Sequence, residues 1–281
     1  MTSRRTIPIS APPERDARLV ADLKPELLLS GEHHLCPGCG EPLAVRVLLD
    51  TLSALSLQRN TIGVVGIGCY TSFSQTLDVD LVQALHGRAP SVATGVKRML
   101  ADTCVFTLQG DGDMVSEGLQ EVLHTAARGE RITCVLLNNG VFGETGGHMT
   151  ATTVIGQRTK NTIDGRDSHT HGHPLLIGDL LAQLTGTVYA ARGSVHDAGH
   201  AAQTRRYLRR AVEHQMAGDG FTFVEVLTMC PTGWFVSTAD APEYLDETLA
   251  GTHLIGELKV DGRVTTTEER RAEQAGIRAP E

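Results

Sequence analysis

Five short, mostly apolar runs alternate along this chain with segments of helical period, and that alternation limits the possible folds more than any other feature. The runs cover 61–67, 104–108, 132–137, 188–191 and 222–227. Strands apolar at nearly every position have no face to turn to water, so they predict a parallel sheet covered on both sides. The covers are predicted over 42–55, 92–100, 115–128, 175–184 and 198–216; in the first, Leu43, Val47, Leu48, Leu52 and Leu55 follow helical spacing behind a starting proline. The expected fold class is therefore α/β, a mostly parallel sheet with helices on both faces. Residues 1–30 read as an N-terminal arm, 31–240 as the domain, and 241–281 as a charged C-terminal extension that frays after Val264. Segment 143–173 is polar and glycine-bearing, long enough to be a functional loop.

Composition narrows the function. Hydrophobic residues make up 41% of the 281 and charged residues 21%, enough to bury a core without disulfides. With 25 Lys and Arg against 33 Asp and Glu, the net charge of -8 argues against nucleic acid as partner. No apolar run approaches the roughly 20 residues that span a bilayer. The basic pair Arg4-Arg5 has no apolar segment behind it, so no secretory leader is expected. The expected location is the cytoplasm, where the six cysteines stay reduced.

In such sheets ligands sit beyond the carboxyl ends of the strands. There the first run leads into Gly68-Cys69-Tyr70 and the second into Gly110-Asp111-Gly112-Asp113. The third leads into Asn138-Asn139-Gly140-Val141, and the last into Cys230-Pro231. The Gly-Asp-Gly turn and the Asn-Asn turn, 25 residues apart, suit a diphosphate held through a hard divalent cation. A carboxylate and an amide supply oxygen ligands, glycines admit backbone N–H groups to the phosphates, and a helix N-terminus follows. There is no Gly-Lys-Ser/Thr phosphate loop, and 63–68 lacks the glycine order of a dinucleotide site. Cys36-Pro37-Gly38-Cys39, alone a weak signal, gains from Cys69 and Cys230 at the same edge. Four thiolates there suit zinc or an iron–sulfur cluster.

With these residues in hand, the chain resembles the thiamin diphosphate-binding β subunit of the 2-oxoacid:ferredoxin oxidoreductases, of the 2-oxoisovalerate or 2-oxoglutarate type. Matching stretches are Cys36-Pro37-Gly38-Cys39-Gly40, Gly66-Ile67-Gly68-Cys69, His86-Gly87-Arg88-Ala89, Val92-Ala93-Thr94-Gly95, the two turns above, Thr145-Gly146-Gly147 and Cys230-Pro231-Thr232-Gly233-Trp234. The resemblance implies the thiamin diphosphate (PP-type) fold and a Mg²⁺ site on Asp111, Asn139 and the Val141 carbonyl. It places cofactor contacts at Gly68, Cys69, His86, Gly110, Asp111, Gly112, Asp113, Asn139, Val141 and Thr145, and one [4Fe–4S] cluster on Cys36, Cys39, Cys69 and Cys230. The implied activity is coenzyme A-dependent oxidative decarboxylation of a 2-oxoacid to acyl-CoA and CO₂, with electrons passing through the cluster to ferredoxin. An α subunit would carry the pyrimidine-binding domain and its activating glutamate, so this chain alone would be inactive; γ and δ subunits are further possible partners. The alternative is a non-redox thiamin diphosphate decarboxylase or synthase subunit with a zinc or empty cysteine site.

Other residues read more plainly. Cys104 and Cys134 lie in apolar runs as small core residues. His169, His171 and His173 alternate but sit among loop-forming residues, and read as a solvated loop. Arg88 could meet an anion. Glu144 and His148 stand where the family usually carries an uncharged residue and Gln, which makes them candidate modulators of substrate orientation. Tyr70-Thr71-Ser72-Phe73 is a weakly charged wall after Cys69, which favours a branched-chain 2-oxoacid, with 2-oxoglutarate next.

Overall fold

The computed structural model describes residues 33–278; the arm expected over 1–30 lies outside the described residues. Ten strands occur among them: β1 (Thr61–Val65), β2 (Asp80–Gln83), β3 (Cys104–Gly110), β4 (Thr133–Asn138), β5 (Val141–Phe142), β6 (His148–Met149), β7 (Thr187–Ser194), β8 (Phe221–Leu227), β9 (Gly256–Val260) and β10 (Arg263–Val264). Eight make one sheet in the order β10-β9-β7-β8-β4-β3-β1-β2, and β5 pairs with β6 apart from it. The six strands from β2 to β7 in that order are mutually parallel; β9 and β10 add antiparallel at the far edge. Helices α1 (Glu41–Ala54), α2 (Ala89–Met99), α3 (Leu119–Ala127), α4 (Ile177–Ala182), α5 (Ala198–Ala217) and α6 (Thr267–Arg278) flank it.

Side chains on successive strand positions point to opposite faces, which sorts each apolar run into two cores. Cys104, Phe106 and Leu108 of β3 pack with Leu48 and Leu52 of α1 and Leu208 and Val212 of α5. Val105 turns the other way, with Cys134 and Phe223, onto Ala93 of α2, Val122 of α3 and Leu181 of α4. Each fully buried Leu or Phe contributes about 1.5–3 kcal/mol, so a strand buried on both faces is held from both sides. The expected α/β fold, with a mostly parallel sheet and helices on both faces, is the fold observed.

The chain leaves β1 for its neighbour β2 on one side, then returns to place β3 on the other. That reversal opens a crevice between the carboxyl ends of β1 and β3, the position where open α/β sheets bind ligands.

Two expectations need correction, and one strand was not anticipated. The helix predicted over 115–128 is broken: a π-helical turn (Gly112–Glu117) precedes α3. Gly118 separates them because it lies on Gly87, where a Cβ would come within 2.5 Å of the Gly87 carbonyl oxygen. Strand β2 carried no apolar signal, since it is a largely exposed edge. The charged stretch expected to fray after Val264 forms α6, whose charges are spent on partners: Glu273 accepts from Tyr207 and Gln203 of α5 and from the Glu257 amide of β9.

Candidate functional site

All ten residues expected to contact a cofactor line one cavity of about 140 Å³ in the β1/β3 crevice. Gly68 and Cys69 come from the β1 exit and His86 from the β2 exit. Gly110, Asp111, Gly112 and Asp113 follow β3, and Asn139, Val141 and Thr145 follow β4. The glycines are there for space. A Cβ on Gly112 would strike the Phe142 ring at 2.3 Å, and one on Gly66 would overlap the Asp113 carboxylate.

Asp113 braces the cavity floor. Its Oδ1 accepts from the Gly87 amide (2.6 Å) with His86 Nδ1 2.7 Å away; its Oδ2 accepts from the Tyr70 hydroxyl (3.0 Å) and Gln109 Nε2 (2.7 Å). Asp111 differs. Thr150 and Thr152 hydroxyls donate to its Oδ2 at 2.5 and 2.7 Å, while Oδ1 meets only a long 3.4 Å approach from the Asn139 amide among the bonds seen. Burial pushes its pKa up to about 6, against hydrogen bonds that pull it down. A buried carboxylate with one oxygen so lightly held, next to the Asn139 amide oxygen and the Val141 backbone, is a donor set of hard oxygens. It suits Mg²⁺ better than a soft metal.

The four motif cysteines line an adjoining cavity of about 250 Å³. The Cys39 amide donates to the Cys36 carbonyl, and the Gly40 amide to the Met229 carbonyl (2.9 Å), which ties the Cys36–Cys39 turn to the loop bearing Cys230. Gly143 completes the wall: a Cβ there would lie 3.3 Å from Cys69 Sγ and 3.6 Å from Cys230 Sγ. Burial raises the thiols of Cys39 and Cys69 far above their ordinary value and that of Cys230 to about 12. Cys₄ is a donor set for a soft metal or cluster, which binds thiols as thiolates. Cys104 and Cys134 are buried apart in the core, as expected.

Glu41 was not anticipated. It lines both cavities, is buried, and leaves Oε2 without a hydrogen-bond partner. Burial first, then the charges of Asp111 and Glu144, push its pKa up to about 8. In sequence it is indistinguishable from an acid favoured in the first turn of a helix. Glu144 lines both cavities too; His148 Nδ1 lies 3.5 Å from the Thr145 hydroxyl. Arg88 is turned away to Glu121 of α3 at 2.9 Å. His169 and His171 occupy one exposed turn capped by Asp167, and the His171 and His173 carbonyls accept from Arg166, so this loop is organised around an arginine. Phe73 is core rather than pocket wall, while Ser72 reaches the cysteine cavity.

A parallel sheet whose crevice gathers a Gly-Asp-Gly turn and an Asn-Asn turn defines a class, the thiamine pyrophosphate-binding domains. The model of that family, described as thiamine pyrophosphate enzyme, C-terminal TPP binding domain, matches residues 66–226. Cys36, Cys39 and Cys230 lie outside the match. The chain is 37% identical to the ketoisovalerate oxidoreductase subunit VorA of Methanothermobacter thermautotrophicus over 214 residues, 76% of this chain and 45% of that one. It is 32% identical to the 2-oxoglutarate synthase subunit KorB of Archaeoglobus fulgidus, covering 75% of each. Within the thiamine pyrophosphate enzymes, the chain belongs to the 2-oxoacid oxidoreductase subunits. It spans less than half the length of the ketoisovalerate subunit it matches. Its fold is also that of a chain of the 2-oxoglutarate:ferredoxin oxidoreductase from Magnetococcus marinus, solved with 2-oxoglutarate, coenzyme A and succinyl-CoA bound, at a TM-score of 0.67, 24% identity and 89% coverage of both chains.

Proposed function

We propose that this chain is the thiamin diphosphate-binding β subunit of a 2-oxoacid:ferredoxin oxidoreductase in the cytoplasm. It converts a 2-oxoacid and coenzyme A to acyl-CoA and CO₂ while reducing ferredoxin. When bound, thiamin diphosphate supplies the carbanion that adds to the keto carbon, and a [4Fe–4S] cluster supplies one-electron transfer. This chain's residues do the rest. Asp111, Asn139 and the Val141 carbonyl would hold Mg²⁺, and the 110–113 turn would offer backbone amides to a diphosphate. Cys36, Cys39, Cys69 and Cys230 hold the cluster. An α subunit brings the pyrimidine-binding domain and its activating glutamate, and γ and ferredoxin-like δ subunits are further partners.

One observation carries this reading: four cysteines from three separate segments line a cavity that shares Glu41, Cys69, Asn139, Gly143 and Glu144 with the cofactor cavity. A shared wall brings an electron carrier against the cofactor, which a purely structural metal does not require. Branched-chain 2-oxoacids are the favoured substrates and 2-oxoglutarate the next. The likeness to the ketoisovalerate subunit supports that order, as does the absence of a basic residue in Tyr70-Thr71-Ser72-Phe73. Iron, sulfide and zinc are measured on anaerobically purified protein together with a visible spectrum. About four irons and four sulfides per chain, the stoichiometry of a Cys₄ cubane, are expected. One zinc and no iron would remove the electron path and leave a non-redox thiamin enzyme.

A further inference from the structure

Strand β8 carries an acid, Glu225, in the middle of a run that is otherwise apolar or Thr, and it is fully buried. Its Oε2 accepts from Arg192 Nε at 2.8 Å, across the β7–β8 register where the two residues are direct partners. Arg192 is itself buried; it also donates to the Leu254 carbonyl (3.0 Å) and to Asp179 Oδ2 (3.0 Å), whose Oδ1 is held by Arg270 of α6. The other Glu225 oxygen, Oε1, accepts from Asn138 Nδ2 at 2.7 Å on the opposite neighbour, β4. A buried polar ladder therefore runs from α6 across three strands to the turn after β4.

Replacing a buried ion pair with apolar residues is commonly neutral or stabilising, so stability does not account for this one. What the ladder does is fix one amide side chain. With Nδ2 pinned by Glu225, Asn138 turns Oδ1 to the Gly140 amide (3.0 Å) and the Thr152 hydroxyl (3.1 Å). The first bond shapes the Asn138–Val141 turn. In the second, the single Thr152 hydroxyl proton is shared between Asn138 Oδ1 and Asp111 Oδ2, the shorter contact of 2.7 Å being to Asp111, so the position of Asn138 sets where that hydroxyl lies. His253, also fully buried, holds the same threonine by donating Nε2–H to the Thr152 carbonyl at 3.0 Å, with Nδ1 3.6 Å from Glu225 Oε1. Glu225 thus reaches the Asn139–Val141 segment through Asn138, and the Asp111 carboxylate through Asn138 and then Thr152, without touching either.

We infer that Glu225, oriented by Arg192, is a positioning residue that sets the divalent-cation affinity of the Asp111–Asn139–Val141 site. The inference rests on reading those three residues as the Mg²⁺ site.

The test is a double-mutant cycle on the assembled enzyme, with Mg²⁺ dissociation constants measured by calorimetry at fixed thiamin diphosphate for wild type, Asn138→Ala, Glu225→Gln and the double variant. Each single change is expected to weaken Mg²⁺ by about 10- to 100-fold, the effect of losing an outer-sphere partner. The double variant should be no weaker than the worse single, because both cut the same link. KM for the 2-oxoacid should stay within about two-fold of wild type, since uniform substrate binding is untouched. Unchanged Mg²⁺ constants, or two losses that multiply as independent effects, would overturn it. If Glu225→Gln does not fold, Arg192→Met with Glu225→Met removes both charges and carries the same expectation. A wild type that binds thiamin diphosphate without Mg²⁺ would sink the Mg²⁺ reading beneath; a wild type that binds Mg²⁺ beside variants that bind it equally well sinks only the role of Glu225.

Discussion

Gly233 and Gly143 stand against the cysteine sulfurs, and their lack of a side chain is what leaves the cysteine-lined cavity open. A Cβ on Gly233 would come within 2.9 Å of both Cys230 Sγ and Val141 Cγ2. Gly233→Ala is therefore expected to cut iron per chain by half or more, read by elemental analysis, with α/β secondary structure retained by circular dichroism. Asp111 sits at the other pole of the site. Asp111→Asn keeps the size but removes the charge a hard cation needs. It should weaken Mg²⁺-dependent thiamin diphosphate binding by about 100-fold, near 2.8 kcal/mol, in calorimetry on the assembled enzyme. At this scale the cysteines and the two turns were legible because their chemistry is local and their spacing narrow. Glu41 was not, because an acid in a first helical turn is ordinary until the fold removes its water. Glu225 was equally silent, since its partners lie 33 and 87 residues away.

Helix α5 shows how an element is fastened to the sheet. Asp197 caps it, accepting from the His200 amide at 2.8 Å and facing His200 Nδ1 at 2.7 Å, and Gly218 closes it in the left-handed region at φ 82°. Loss of such a cap costs about 1 kcal/mol, so Asp197→Ala should lower the unfolding free energy by about that amount, read as a lower urea midpoint with an unchanged slope. Near its other end, Gln215 reaches into the sheet. Its Oε1 accepts from the Val105 amide (3.0 Å) and its Nε2 donates to the Val105 carbonyl (2.6 Å), filling a register position where β3 has not yet met β4. Gln215→Leu would leave a buried amide and carbonyl unpaired, a loss of about 1–3 kcal/mol, measured in the same urea series. Strands and helices of the doubly wound core were readable from period alone. The break before α3 and the edge strand β2 were not, because one depends on Gly118 meeting Gly87 and the other buries almost nothing.

Across the whole molecule, buried charge joins the C-terminal residues to the centre of the sheet. Burial alone would raise the pKa of Asp179, but Arg192 and Arg270 outweigh it and hold the carboxyl below its ordinary value. A folded-state pKa below the unfolded one gives stability that is full at neutral pH and drains as pH falls below about 4. Urea midpoints taken from pH 6 down to pH 3 should therefore fall more steeply for the wild type than for Asp179→Asn, which is less stable at pH 6 and flatter below it. Equal slopes would show that Asp179 gains nothing from its arginines.

What the amino-acid order determined by itself was whatever neighbours in sequence decide: apolar runs that must be buried on both faces, helices of period 3.6, turns that free glycines and carboxylates at strand ends. From these came the fold class and the turns at the strand ends, while His86, Thr145 and the grouping of the four cysteines as one ligand set came from the family resemblance. Tertiary structure alone decided which distant groups share a desolvated space. It gathered Glu41, Asp111 and Glu144 around one wall, turned Arg88 away to Glu121, and drew the charged tail into β9, β10 and α6. Burial and pairing across the sheet depend on three-dimensional neighbours, and a linear pattern carries only those neighbours that repeat.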